Sequence, residues 1–174
     1  MELRFDIFPR IDSPGFLIYR TATQMKVGLL RAFQAEGINV TPEQWAVLGS
    51  LWEEEGLNQI LLAERTVKDR HNITRILNLL EKGGLVLREP DSRDRRCHRV
   101  YLTETGKALK PRLVRIATDF LRKAMTGMSQ EDLSSMKRIL GQILKNLGHD
   151  SENAEATQFG TRRCGITEQQ PMGK

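Results

Sequence analysis

Between Asn58 and Leu102 the sequence leaves little freedom of fold. It reads NQILLAERTVKDRHNITRILNLLEKGGLVLREPDSRDRRCHRVYL. Two short helical patterns come first. Gly83-Gly84 stops the second, because glycine readily takes the left-handed exit that a helix C-terminus favours. An apolar strand, Leu85-Val86-Leu87-Arg88, leads into a turn opened by Pro90 and Asp91. Arg99-Val100-Tyr101-Leu102 returns as a second strand. A helix pair followed by a charged hairpin has the form of a winged helix-turn-helix.

The charge in this stretch points the same way. From Leu61 to Arg99 there are ten Lys/Arg and six Asp/Glu, which leaves +4 of the whole chain's +5. The positive excess is local, as a phosphate-facing surface requires.

The second helix of the pair starts at about Asp69 and runs to Lys82. Ile73, Ile76, Leu77 and Leu80 share one face. Arg70, His71, Thr74, Arg75 and Asn78 lie largely off it, with Asn72 at the margin. A helix fits the major groove, where arginine can fork onto guanine, asparagine onto adenine, and threonine can touch a base or a phosphate. Alone, such a face is more often a solvated surface. The hairpin changes that balance. Four arginines, Arg93, Arg95, Arg96 and Arg99, fall within seven residues, interrupted by Asp94. Charges on an exposed strand also serve to prevent sheet-to-sheet pairing. Lysine would do that equally well, so a run of arginines favours a narrow, negative minor groove.

The segments DRHNITRILNLLEKGGLV at 69–86, DSRDRR at 91–96 and LTETGKAL at 102–109 resemble the MarR family of bacterial transcription regulators. The resemblance extends over about residues 13–147 at the level of helix order. It implies a homodimeric winged-helix regulator of palindromic double-stranded DNA, most simply a repressor released by a small-molecule effector, or one with a redox input. It also implies that Arg95 is the wing-tip arginine that enters the minor groove. Asp91, Arg93, Asp94 and Arg96 match the rest of the wing motif. Asp94 is expected to be structural, paired with a nearby arginine, since an acid facing phosphate opposes binding. The expected fold is mainly α with a small antiparallel hairpin.

The remaining chain reads as support for this lobe. Residues 1–12 look like an irregular arm. Ser13-Pro14 caps and opens a helix to about Ala35. Gly28 falls inside it, where close packing against another helix would account for a glycine. Thr41-Pro42 starts a second helix with Trp45, Leu48, Leu51 and Trp52 on one stripe. Asn58 caps the third, with Leu57 and Leu62 placed as a hydrophobic staple. Thr103 caps a long helix to about Met125, and Pro111 inside it is expected to kink it. Ser129 caps the last, with Asp132 at the capping-box position and a stripe of Leu133, Met136, Leu140, Ile143 and Leu147. The DNA-binding lobe thus spans about 41–102, and the dimerisation helices about 13–35 and 103–148. Apolar stripes at both ends exceed what a small reading lobe can cover, which suggests a second copy. The alternative is that they pack on each other within one chain. Residues 149–174 are polar and aperiodic, and read as a disordered tail.

Other sites are weaker. Phe16, Tyr19, Arg20, Trp45 and Trp52 offer an aromatic pocket with one cation for an aromatic or anionic effector, against the plainer reading of core packing. Cys97 sits beside arginines, which would favour its thiolate, but an incidental cysteine is the better reading than a redox sensor. With Cys164 it makes two, too few for a disulfide framework or a Cys-rich zinc site. The expectation is a cytoplasmic protein with reduced thiols. His71, His98 and His149 are scattered, and no metal or cofactor is expected. No apolar run reaches bilayer length, and the first residues do not read as a signal peptide. No phosphate loop or nucleophile–base arrangement suggests an enzyme. A winged-helix module that binds acidic proteins stays open as an alternative.

Overall fold

The computed structural model describes residues 13–92 and 94–148; the arm, Arg93 and the expected tail lie outside the described residues. The element order is α1 (Pro14–Ala35), α2 (Pro42–Glu53), β1 (Leu57–Asn58), α3 (Gln59–Arg65), α4 (Arg70–Lys82), β2 (Val86–Pro90), β3 (His98–Leu102), α5 (Glu104–Ala124) and α6 (Gln130–Asn146). Two compact units share these elements. One takes residues 13–42 with Pro111–Thr126, the other Glu43–Lys110 with the residues from Gly127 on. The boundary inside α5 falls at Pro111, and the helix is assigned without a break there.

In the first unit, the Ser13 hydroxyl accepts from the Phe16 amide at 3.3 Å, and Pro14 opens α1. Gly28 has the reason the sequence suggested. A Cβ there would lie 2.5 Å from the Phe120 ring, so the α5 aromatic occupies the space a side chain would take. At the end of α1, Glu36 accepts from Arg115 at 3.0 Å, and its carbonyl accepts from Arg112. Phe33, Ile38, Val40, Leu113, Ile116 and Ala117 are buried in this unit.

The second unit carries a three-stranded antiparallel sheet in the order β1-β3-β2. The sequence indicated only the hairpin. The added strand is two residues long, with Leu57 opposite Val100 and Asn58 opposite Arg99. Leu57, expected as a staple, is therefore a strand residue. Pro90, expected to open the turn, is the last residue of β2 and sits opposite His98. An edge strand tolerates a proline because one of its sides needs no ladder donor. The core joins α2 (Val47, Leu48, Leu51), α3 (Leu62) and the predicted face of α4 (Ile73, Ile76, Leu77, Leu80) to Val86, Val100 and Leu102 of the sheet.

Two local devices fix the ends of this unit's helices. Thr103 Oγ1 accepts from the Gly106 amide at 3.0 Å and donates to the Gly84 carbonyl at 2.6 Å. A Cβ at Gly106 would lie 2.1 Å from the Leu85 carbonyl oxygen, so only glycine lets the first turn of α5 approach this closely. At α6 the capping box is complete. Asp132 accepts from the Ser129 amide at 2.8 Å, and Ser129 Oγ accepts from the Asp132 amide at 3.1 Å. No residue of α6 is buried, and Ile139, Leu140, Ile143, Leu144 and Leu147 are exposed. None of the described helices is long and apolar enough to cross a membrane.

Candidate nucleic-acid interface

The N-terminus of α4 is built around Asp69. Its carboxylate accepts from the Asn72 amide at 2.9 Å and from the Asn72 side chain at 2.6 Å. These two donors hold the Asp69 carboxyl below its ordinary range. The amide of Asn72 is thereby spent on the cap. Thr74 is engaged too: its hydroxyl donates to the Arg70 carbonyl at 2.7 Å and accepts from Gln59 Nε2. Gln59 also reaches the Arg70 carbonyl at 3.4 Å, so one α3 side chain pins the first turn of the candidate recognition helix. Asn78, near the other end, accepts from Arg88 of β2 at 2.6 Å. Arg88 also donates to Glu81, at 3.1 Å through Nε, and holds that carboxyl below its usual range.

Three of the six polar candidates on α4 are thus occupied within the protein. Arg70, His71 and Arg75 remain exposed on its outer side. Sequence periodicity identified the face but not this division. Gln59 and Arg88 had no signal of their own, since their roles depend on α3 and β2 lying against α4.

The wing is tied down by an ion pair different from the one expected. Asp91, only 8% exposed, accepts from Arg99 Nε at 2.5 Å. Arg99 also donates to the Gly56 carbonyl at 2.9 Å, which links the hairpin to the start of β1. Asp94 pairs with no described arginine side chain. Its carboxylate accepts from the Arg96 amide at 2.9 Å and so shapes the turn backbone. Both acids are structural, but Asp91 takes the arginine because its position beside β3 brings it to Arg99. The turn closes through the Asp91 amide donating to the Cys97 carbonyl at 2.8 Å and the Cys97 amide donating to the Asp94 carbonyl at 2.9 Å. Arg95 and Arg96 are exposed at this turn. Cys97 is disulfide-bonded, which corrects the expectation of a reduced thiol there; Cys164 lies outside the described residues.

The described arginines of this lobe fall into two groups. Arg65, Arg88 and Arg99 are each held by a carboxylate, from Glu54, Glu81 and Asp91. Arg70, Arg75, Arg95 and Arg96 are exposed, and none pairs with a carboxylate among the described residues. A surface whose arginines merely balanced local acids would pair them. The four left over sit on α4 and on the wing tip, the two elements that a groove would receive.

The aromatic residues considered for an effector divide between the units. Phe16, Tyr19 and Arg20 lie on α1 of the first, where Tyr19 and Arg20 are exposed. Trp45 and Trp52 lie on α2 of the second, with ring centroids 5.3 Å apart in an edge-on arrangement. The Trp52 indole donates to the Gly106 carbonyl at 3.2 Å, a bond between α2 and α5 that leaves this N–H committed.

Known proteins share this fold. Residues 40–98 match the MarR family. The organic hydroperoxide resistance transcriptional regulator of Bacillus subtilis (strain 168) is 30% identical over 147 residues, covering 84% of this chain and 97% of that protein. Among solved structures, a probable transcriptional regulator from Pseudomonas aeruginosa superposes with a TM-score of 0.70 at 26% identity, covering 76% of this chain and 97% of that one. A MarR transcriptional regulator from Methanosarcina mazei Go1 gives a TM-score of 0.69 at 25% identity, with 76% and 94% covered. With the winged helix-turn-helix in place and a relative matched over nearly its whole length, the chain belongs to the MarR family and is a DNA-binding transcriptional regulator.

Proposed function

We propose that the protein is a homodimeric repressor that binds a palindromic operator and is released by a small-molecule effector. Arg70, His71 and Arg75 face the major groove from α4, and Arg95, Arg96 and Arg93 serve the minor groove and its phosphates. The observation that carries this reading is the sorting of arginines in the reading lobe, where the four that pair with no carboxylate among the described residues lie on α4 and the wing tip. Asn72, Thr74 and Asn78 then act chiefly by holding α4 in place, because their side chains already have partners. The dimer is supported by the exposed apolar residues of α6 in one unit and, separately, by the exposed Leu17 and Ile18 of α1 in the other. Residues 41–102 act as the reading lobe, and the terminal helices as the dimer lobe.

The experiment is selection of bound duplexes from a random pool, followed by reporter assays on the selected site. A two-fold sequence with half-sites about one helical turn apart, roughly 34–36 Å, supports the dimer. Loss of reporter repression on deleting the gene supports the repressor; a fall in reporter output on deletion contradicts it.

A second reading is a redox-responsive regulator acting through Cys97. One observation favours it: Cys97 is disulfide-bonded and lies in the wing, between Arg96 and His98. Its test is operator affinity with and without reductant, in the parent and in Cys97→Ser. Equal affinity in all four measurements excludes it.

A further inference from the structure

The turn between α3 and α4 closes through the backbone. The Lys68 amide donates to the Ala63 carbonyl at 2.8 Å, and the Val67 amide to the Glu64 carbonyl at 3.1 Å. Together these are the six-to-one and five-to-two bonds that end many helices, and they need a left-handed residue just past the C-cap. Here that residue is Val67, with φ +50°. The same bonds end α1 and α4. Ile38 donates to Phe33 and Gly37 to Gln34 in the first, Leu85 to Leu80 and Gly84 to Glu81 in the second, and the left-handed residues are Gly37 and Gly84. Among the described residues, every other positive φ belongs to a glycine. A branched Cβ crowds the following carbonyl in this conformation, so valine is poorly suited to it.

Packing does not offset this strain. Val67 is 69% exposed, well above Leu79 at 46% and Leu87 at 36%, the other exposed large apolar residues of the reading lobe. It stands just before the Asp69 cap of α4 and lines the same hollow as Arg70 and Arg96. Neither arginine pairs with a carboxylate among the described residues. A strained, exposed isopropyl group is thus held among the side chains proposed to meet DNA, and strain that packing leaves uncompensated points to use.

We propose that Val67 reads a base: its isopropyl group meets the C5-methyl group of a thymine in the major groove, beside the bases met from the first turn of α4. The thymine methyl is the apolar group that a base pair shows in that groove. An isopropyl group matches it where the usual glycine or asparagine would not. Residues at the start of a recognition helix lie closest to the base edges. The inference rests on α4 entering the major groove, as proposed above. It gives the turn a part in sequence choice, beyond closing the helix pair.

The test is a set of binding titrations of the full chain on the selected duplex. Each thymine is replaced in turn by uracil, which removes only the methyl group. Each guanine is replaced in turn by 7-deazaguanine, which exchanges the N7 acceptor for C–H. The parent should lose about fourfold in affinity at one thymine position, the effect of one buried methyl group. Val67→Gly should bind the unmodified duplex about fourfold more weakly than the parent and be indifferent to uracil at that position. Its losses on 7-deazaguanine should match the parent's. Val67→Ile keeps an apolar branch and should keep the sensitivity to uracil. Val67→Gly also relieves the turn, so it should melt at or above the parent, by up to about 4 °C. A Val67→Gly that melts below the parent contradicts the strain and removes the ground of the inference. Uracil losses that are the same in the parent and in Val67→Gly at every thymine overturn the contact. If 7-deazaguanine lowers the parent's affinity at some guanine and no thymine is coupled to Val67, this inference alone fails. If 7-deazaguanine has no effect at any guanine in the parent, α4 does not read the groove, and the functional reading falls together with this inference.

Discussion

Asp91 and Arg95 stand four residues apart in one turn and do different work. Asp91 is buried and fixes the wing through Arg99 to Gly56. Arg95 is exposed and free to meet a ligand. Asp91→Ala should therefore lower both thermal stability and DNA affinity, because it leaves the half-buried Arg99 without its partner at a cost of about 1–3 kcal/mol. Arg95→Ala should lower DNA affinity with an unchanged melting temperature. Differential scanning calorimetry beside a binding titration separates them, and equal melting temperatures for both variants would contradict the division. Asp69 adds a pH effect. Its folded carboxyl is held below the ordinary value of 3.8 by the Asn72 donors. A depressed carboxylate contributes stability that is present above the unfolded value and lost as pH falls through the folded one. Asparagine also caps helices but does not titrate. Stability of the parent should thus drop more than that of Asp69→Asn between neutral pH and about pH 3. Parallel curves for the two would show that the cap carries no such linkage.

At the scale of elements, glycine positions decide how closely helices approach. Gly106 lets the start of α5 lie against the Leu85 carbonyl, 2.1 Å from where a Cβ would stand. Gly106→Ala should cost about 1–3 kcal/mol through forced displacement of α5. A denaturant midpoint that does not move would mean α5 shifts freely. Most elements were legible in the sequence because their ends carry chemistry: Ser13, Asn58, Asp69 and Ser129 all cap as their residue types suggest. Three features were not. The strand β1 is too short to show a period of two. Pro90 in β2 depends on that strand lying at a sheet edge. The Asp91–Arg99 pair joins residues whose meeting is set by the register of the hairpin. The candidate site was legible as a face of α4 and a run of arginines. Which side chains stay free was not, because it turns on Gln59, Arg88 and Asp69 as partners from other places in the chain.

For the whole molecule, the apolar surface of α6 sets the expectation. No residue of α6 is buried, and four of its large aliphatic side chains, Ile139, Leu140, Ile143 and Leu144, are exposed among the described residues. In the proposed dimer, burial against a second copy would offset that exposure, at about 25 cal/mol for each Å² removed from water. Sedimentation equilibrium at micromolar concentration should give a dimer, and paired substitutions Leu140→Glu and Ile143→Glu should give a folded monomer with much weaker operator binding. A monomeric parent with full affinity contradicts the dimer.

The central proposal is that the arginines of α4 and the wing that pair with no carboxylate among the described residues read DNA in two different ways. It is tested by the affinity of Arg75→Ala and Arg95→Ala for the selected site and for scrambled duplex, each across a salt series. Arg95→Ala should weaken both duplexes alike and flatten the salt dependence, since a wing arginine acts through phosphates and groove potential. Arg75→Ala should lose preference at particular base pairs, by about 1–3 kcal/mol, with scrambled DNA little affected. If Arg75→Ala lowers both affinities equally, base reading passes to Arg70 and His71. If Arg95→Ala changes neither, the wing does not meet DNA and the account is wrong at its most specific motif.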